Sequence, residues 1–564
     1  MARPGALYPQ VDPGAAGLMD RRVLRCAAHL PVARARALAA GAGAPALVVG
    51  PRSVVLPEDL DRAAAWGLDR LAVGHLAWDG LAVVGPSASE VAVRRLLLHG
   101  APVLVVAQGR TVVGIIRAAS AEWAQPGLSI AHRLEHSDGP AREASVWLLR
   151  HAGKVGEALG VAVWAVGGFV RDVLLERQAL DLDLVVEGDG PAFARRLAEE
   201  IHGRTVVHGA FGTASVEGGV TAGGTPLPRI DVASARRERY RAPGALPSVA
   251  PAALGEDLAR RDFSVNALAM ALGPAVFGRL VDPLGAARDL DRRRLRVLHP
   301  LSFVEDPTRI FRAARYSARL ALRLDAGTRR AMALALAAGV YPALSGQRLL
   351  AELELIVAEP GGWRALALLL EWGAFRLWDP GFRTSSRSMR RLTEVMRLCE
   401  WKGAPGILPP VIDAALVGLL LDQPPAVARR CVARLAITGA RAARLLEAPA
   451  LARRLARVLD APRRQASVVA HALRSAHPEA LVAAWLAGGA RARGRMRWFL
   501  TRGHAVRPLM TASDVMAAGV PRGPQVGRCL EALRDLRLDG RIKTLPQEQR
   551  VVERCRPDQK GGAT

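Results

Sequence analysis

Asp181 and Asp183 stand two residues apart in the apolar run DLDLVVEG. Alternate residues of an extended strand share a face, so the two carboxylates project together while Leu182 and Leu184 take the opposite, core side. Burying even a neutral polar group without a partner costs about 2–7 kcal/mol, and two adjacent carboxylates also repel. A cation between them removes both penalties. Mg²⁺ suits the place, because it takes one or two carboxylates, keeps its waters and binds substrate phosphates. A second extended stretch, Arg229–Ala233, carries Asp231 between Ile230 and Val232. Asp231 is either a third metal ligand or the ion-pair partner of Arg236 or Arg237. Carboxylates gathered on neighbouring strands follow the logic of two-metal phosphoryl transfer, in which one ion activates the attacking hydroxyl and the other steadies the leaving group. The expectation is two Mg²⁺ ions on Asp181 and Asp183, with Asp231 as an auxiliary ligand.

The surrounding segments supply phosphate chemistry. Val161–Val166 reads as a buried strand, Gly167–Gly168 breaks it, and Val170–Leu175 starts a helix with Arg171 and Asp172 in its first turn. Paired glycines at such a turn let backbone N–H groups approach a phosphate. The segment EDLARRDFSVNA holds Arg260, Arg261, Asp262 and Asn266. Arginine gives two-pronged phosphate contacts and a carboxylate can accept from a ribose hydroxyl; the alternative is an internal salt-bridge network. In EDPTRIFRAARY, Asp306 reads as a helix cap with Pro307 at the first turn. Glu305, Arg309 and Arg312 share one face of that helix, which also allows a plain ion pair.

These residues need a scaffold. Helix–strand alternation runs from about Val155 to Ala271, and from about Asp289 the chain reads mostly helical. Near the N-terminus GAPALVV (Gly43–Val49) recurs as GAPVLVV (Gly100–Val106), and RSVV recurs as RTVV. Only the second copy has a glycine, Gly114, in its second strand. The expected organisation is a leader (1–20), a tandem repeat module (21–120), a linker and helix (121–150), an α/β head (151–272), a helical neck (273–375), and a helical body and tail (376–564). The fold class is α+β multidomain: a small α/β module, a mixed sheet with helices, then an all-α remainder.

The chain has 564 residues, room for roughly three or four domains. Its net charge of +26 points to a polyanionic partner, the alternative being a GC-rich genome that favours arginine codons. The five cysteines show neither metal-binding nor disulfide spacing, and a reducing cytoplasm fits. The N-terminus lacks the apolar core of a signal peptide, and no window is apolar enough to span a membrane.

The stretch GGFVRDVLLERQALDLDLVVEG resembles the head motif of the class II nucleotidyltransferases, the family of bacterial tRNA CCA-adding enzymes and poly(A) polymerases. The resemblance implies a nucleotidyltransferase palm, Asp181 and Asp183 as catalytic metal ligands, and Gly167, Gly168, Arg171 and Asp172 at the nucleotide. HGAFGTASV (His208–Val216) resembles the strand that follows, with Thr213 near the phosphates. RRDFSVNA resembles the family's RRDFTxNA, Ser264 keeping the hydroxyl; Arg260, Arg261 and Asp262 would contact ribose and triphosphate, with Asn266 in support. EDPTR resembles the motif that reads the incoming base. Asp306 and Arg309 would match the donor-beside-acceptor edge of cytosine and adenine, with Arg312 and Arg315 on the same helix completing the set. A mismatched base leaves buried polar groups unpaired, which can discriminate by roughly 10⁴. SGQRLLAEL (Ser345–Leu353) resembles a bracing neck helix. Leu509–Ile542 resembles the tail of the CCA-adding branch, which favours the tRNA acceptor arm as partner.

The N-terminal repeats resemble a tandem CBS pair. Such a pair implies either an adenine-nucleotide site or a bare scaffold, and commonly associates face to face as a homodimer. The implied reaction is template-independent transfer of CMP or AMP, or both, from CTP and ATP to a tRNA 3′ end. The alternatives are a poly(A) polymerase acting on many RNAs and a non-catalytic RNA-binding adenine-nucleotide sensor.

Overall fold

The protein is seen here as a computed structural model that describes residues 14–51, 53–78, 81–98, 103–117, 129–135, 140–177, 181–208, 212–221, 223–401 and 406–554. Most of the expected leader, the start of the second repeat copy (Gly100–Pro102), most of the linker and Gly209–Phe211 of the HGAFGTASV segment lie outside the described residues. Contacts divide the chain into two compact units, Met1–Leu344 and Ser345–Thr564.

The first unit opens with two copies of one small fold. Strand β1 (Leu24–Arg25) runs parallel to β2 (Leu47–Val48), which turns back antiparallel onto β3 (Val54–Val55). The second copy repeats this with β4 (Ala82–Val84), β5 (Val103–Gln108) and β6 (Thr111–Arg117). A helix crosses between the parallel strands of each, Val32–Ala42 and Glu90–Leu98. The copies share a core in which Ala46, Val48 and Val54 pack with Val103, Val105 and Ile115. The glycine confined to the second copy has a local cause. Asp20 bridges to Ile115 on β6, and a Cβ on Gly114 would lie 2.8 Å from the Asp20 carbonyl oxygen and 2.9 Å from Met19 Sδ.

The head is a seven-stranded mixed sheet in the order β15-β14-β7-β8-β11-β10-β9. Its strands are β7 (Ala162–Val166), β8 (Leu182–Glu187), β9 (Arg204–His208), β10 (Thr213–Glu217) and β11 (Ile230–Ser234), with β14 (Ala269–Ala271) and β15 (Leu280–Val281) at the edge. A separate hairpin, β12 (Arg236–Arg239) with β13 (Ser248–Pro251), follows β11. The β-branched composition of these runs suits a pleated, covered surface. Only β8 and β11 pair in parallel within this sheet. The Gly190–Glu200 helix covers it, started by Asp189, whose carboxylate accepts from the Ala192 N–H at 3.0 Å. Phe193, Ala194 and Leu197 of that helix are fully buried.

Local boundaries differ from the sequence reading by a residue or two. Strand β8 starts at Leu182, after Asp181. The helix after the glycine pair begins at Gly168 and ends at Leu174. The helix that follows EDP spans Thr308–Leu320, and Pro307, not Asp306, is its cap position. The region after Asp289 is not wholly helical: Arg294–Leu295 and Arg323–Leu324 form a short parallel pair.

The second unit is all helical among the described residues. Its last part has its own core, in which Met510, Val515, Val520, Cys529, Leu533 and Val552 pack together. Glu548 is fully buried there and satisfied: it accepts from the Leu509 and Met510 N–H groups and from Arg537 Nη1 at 2.9 Å. No helix among the described residues is long and apolar enough to cross a membrane.

Candidate active site

Strand β8 presents Asp181 at its exposed entry and Asp183 half-buried one pleat further in. Asp231 of β11 lies opposite Asp183 in the parallel register. Burial pushes the Asp183 carboxyl up to about 6; Asp231 and Asp181 add repulsion, while Arg261 pulls the other way. This is the electrostatic signature of carboxylates arranged for a cation.

Asp231 has its own partners. Ser215 Oγ, opposite it on β10, donates to it at 2.6 Å, and Arg229 donates through Nη2 at 3.0 Å and Nε at 3.2 Å. His208 Nε2 stands 3.1 Å from the same Ser215 hydroxyl. The expected ion pair with Arg236 or Arg237 is corrected: those arginines face Glu238 and Glu256, because β11 ends at Ser234 and the chain turns into a separate hairpin.

Among the described residues no three His, Cys, Asp or Glu side chains converge tightly enough to enclose an ion. The donor set still fits Mg²⁺, a hard ion that needs only one or two carboxylates and draws its remaining oxygens from water and phosphate. The raised Asp183 carboxyl, crowded by two other carboxylates, supports that fit.

Next to this face runs a continuous polar network. Gly167 holds φ at +65°, which requires glycine, and a Cβ there would lie 2.9 Å from Arg261 Nη1, the movable end of that side chain. Arg171, 1% exposed, grips both oxygens of Asp172 (2.8 and 2.9 Å) and donates to Asn266 Oδ1 at 2.7 Å. Asn266 Nδ2 donates to Asp262 Oδ1 at 2.9 Å, and Arg312 Nε donates to Asp262 Oδ2 at 2.8 Å. Burial raises the Asp262 carboxyl, but Arg312 and Asn266 outweigh it and hold it below the usual range.

Asp257, fully buried and missed in the sequence, anchors the arginine pair. It accepts from Arg260 Nη2 at 2.6 Å and Arg261 Nη2 at 3.0 Å. Arg260 also donates to Glu238 Oε1 at 2.7 Å. Its position three and four residues ahead of the arginines, on the same helical turn, was the available signal. Arg260 is thus committed to the internal network. Arg261 keeps a buried Nε without a hydrogen-bond partner. Ser264 uses its hydroxyl to donate to Asp289 at 2.6 Å, a bridging role any small hydroxyl side chain meets.

At the start of the Thr308–Leu320 helix, the Asp306 carboxylate accepts from the Thr308 N–H at 3.0 Å and hydroxyl at 2.7 Å. Arg309, 5% exposed, donates to Ser302 at 2.8 Å, Glu305 at 3.1 Å and the Arg260 carbonyl at 3.2 Å, and reaches the Tyr240 hydroxyl at 3.5 Å. Burial would raise Glu305, but His299 and Arg309 overcome it and hold the carboxyl at about 2. Burial drives His299 down to about 4, with the Arg62 charge from the first repeat adding to it against the pull of Glu305. Trp66, one turn beyond Arg62, donates its indole N–H to the Tyr240 carbonyl at 3.3 Å. Tyr316 was also missed. It lies under the guanidinium groups of Arg171, Arg312, Arg315 and Arg319 at 5.5, 5.7, 5.4 and 5.7 Å from the ring centre, a cation–π cluster. Thr213 sits apart from the network, at the head of β10, two strands from β8.

A mixed sheet with paired carboxylates on an inner strand, walled by arginines and followed by helices, is the palm of a nucleotidyltransferase. Residues 163–296 match the poly A polymerase head domain. The chain is 35% identical over 426 residues to the A-adding tRNA nucleotidyltransferase of Geobacter sulfurreducens, covering 73% of this chain and 47% of that protein. It is 34% identical over 397 residues to the CC-adding tRNA nucleotidyltransferase of Deinococcus radiodurans, covering 69% of this chain and 87% of that protein. The Thermotoga maritima CCA-adding enzyme, solved in complex with tRNA, superposes with a TM-score of 0.62 at 26% identity, over 75% of this chain and 98% of that one. The chain belongs to the tRNA nucleotidyltransferase family. It spans about half the length of the Geobacter A-adding relative.

Proposed function

We propose that this protein extends the 3′ end of tRNA, adding CMP, AMP or both from CTP and ATP without a nucleic-acid template. The carrying observation is Asp183 on β8, with Asp181 just ahead of the strand and Asp231 opposite on β11, and with burial pushing Asp183 up to about 6. Asp181 and Asp183 would hold Mg²⁺, which would supply charge neutralisation for the attacking hydroxyl and the departing pyrophosphate; Asp231 is proposed as the auxiliary carboxylate, engaged once Arg229 lets go. The RNA 3′-hydroxyl attacks the α-phosphate and pyrophosphate leaves. Arg261, whose Nε lacks a partner, binds phosphate, and Arg171, Asn266, Asp262 and Arg260 hold it and the ribose contacts in register. Gly167 and Gly168 keep the turn open to the triphosphate, Asp172 orients Arg171, and Thr213 borders the phosphates. Asp306 and Arg309 select cytosine or adenine, with Arg312 and Arg315 fixing their helix against Tyr316.

AMP addition is the narrower reading. It is supported by sequence identity, 35–40% to three A-adding relatives against 30–34% to two CC-adding ones. The N-terminal repeats are proposed as a CBS pair, supported by their matching topology, with an adenine nucleotide as ligand and a face-to-face homodimer as its association.

The test is incubation with Mg²⁺ and tRNA transcripts ending at the discriminator base, in C, or in CC, each with labelled CTP, ATP or both. Full CCA on the shortest transcript marks a complete CCA-adding enzyme. One A, only on the CC-ended transcript, marks an A-adding one. A long A ladder on an unrelated RNA marks poly(A) polymerase, and no incorporation defeats the catalytic reading.

A further inference from the structure

In the Ser345–Thr564 unit a cavity of about 540 Å³ opens beside the Ser386–Glu400, Pro478–Ala487 and Ala490–Thr501 helices. That volume falls inside the roughly 300–1,000 Å³ typical of small-molecule pockets. The sequence places its walls by helical spacing. Glu394, Arg397, Leu398 and Trp401 recur at three- and four-residue steps, so they line one face and its continuation. Arg493 and Arg497 do the same on the last helix, and Trp485 closes the third side.

The chemistry divides cleanly. Trp401 and Trp485 stack with ring centres 6.5 Å apart and planes 28° from parallel. Arg493 is fixed: it grips Glu394 with both terminal nitrogens, at 3.2 and 2.9 Å, and donates Nε to the Trp485 carbonyl at 3.1 Å. Its charge is therefore answered inside the wall. Arg397 and Arg497 are exposed, and neither guanidinium is paired with a carboxylate among the described residues. The result is an aromatic floor with two uncommitted cations at its rim. It suits a flat π system joined to negative charge.

We propose that this cavity holds one unstacked nucleotide of a bound RNA, its base against the Trp401–Trp485 pair and its flanking phosphates on Arg397 and Arg497. The proposal rests on the tRNA reading above and deepens it by naming a second point of RNA contact. Base–aromatic stacking is tolerant of sequence, and its loss weakens binding by about 5- to 100-fold per base. Phosphate contacts carry the salt dependence, each lowering the slope of log K against log salt by about 0.7–0.9.

The experiment measures binding of a fluorescently labelled tRNA transcript to the full chain by anisotropy, across a salt series and without nucleotide. Arg397→Gln with Arg497→Gln is expected to weaken binding at least tenfold and to flatten the salt slope by about 1.4–1.8. Trp401→Leu is expected to weaken binding about 5- to 100-fold with the slope unchanged. Trp401→Phe, which keeps a ring, should recover most of that loss; failure to recover would show that Trp401→Leu acts through packing and overturn the proposal. Wild-type affinity in Trp401→Leu also overturns it, leaving only a positive rim, as does displacement of the tRNA from this site by ATP alone. Binding and catalysis fail separately: a chain that adds no nucleotide yet loses tRNA affinity in Trp401→Leu refutes the reaction and keeps the pocket.

Discussion

On the proposed reading, a proton and a metal ion would compete for the same oxygens at Asp183. Its folded pKa of about 6 stands above the ordinary 3.8, so the folded state holds the proton more tightly than the unfolded chain does. The sign follows: this group costs the metal-free protein stability as pH rises through about 4 to 6. Asp183→Asn should therefore raise the melting temperature relative to wild type at pH 7.5 in EDTA, leave it nearly equal at pH 4, and abolish nucleotide transfer. Under limiting Mg²⁺, wild-type activity should fall by about tenfold per pH unit below pH 6; a flat profile to pH 5 would contradict the assignment. Gly167→Ala combines a strained positive-φ backbone (φ 65°, ψ −124°), costing about 1–3 kcal/mol, with a forced shift of the Arg261 guanidinium. Its effect on the apparent affinity for nucleoside triphosphate should exceed its effect on melting. The acidic pair and the glycine were legible because their constraint is local: two residues of strand, one turn. Arg229 and Ser215 around Asp231 were not, since their roles appear only once β10, β11 and β8 lie side by side.

Between elements, Arg171 is the joint. It sits on the short Gly168–Leu174 helix yet reaches Asn266 from the segment before β14, and its ring contact with Tyr316 comes from the Thr308–Leu320 helix. Removing one partner of a buried ion pair costs about 3–5 kcal/mol. Arg171→Ala should lose about that much in chemical denaturation. Arg171→Lys should recover little, because an ammonium cannot span both Asp172 oxygens and Asn266 together. The strands expected at Val161–Val166, Asp181–Val186 and Arg229–Ala233 appeared within a residue of their sequence positions, whereas His208–Val216, likened to one strand, takes in the end of β9 and the start of β10. The two-residue strands Arg294–Leu295 and Arg323–Leu324 did not register, being too short to show a period. The dual nature of RRD was open in sequence. The fold divides it in part: Arg260 turns to Asp257 and Glu238, while Arg261 also holds Asp257 and keeps a buried Nε without a partner.

For the molecule as a whole, the helical character of the C-terminal unit was readable from its amphipathic runs, whereas the cavity between Trp401 and Trp485 was not, because the residues lie far apart in the chain. The tail core hangs on Glu548, which ties Leu509 and Met510 to Arg537. Glu548→Leu should strand Arg537 and the two N–H groups and open the last helices to proteolysis, with cleavage expected after Arg502 or Arg507 while Met1–Leu344 stays intact. In sequence the N-terminal repeats read as a module of their own, residues 21–120, separate from the head at 151–272. Trp66 contradicts that picture: its indole caps the carbonyl of Tyr240, whose hydroxyl meets Arg309, and Arg62 from the same helix sets the charge around His299. Anyone trimming this protein to a minimal catalyst would therefore find no clean place to cut ahead of the head. If Arg309 reads the base as proposed, deleting the repeats should loosen the choice between CTP and ATP, read as the ratio of the two incorporated into one transcript.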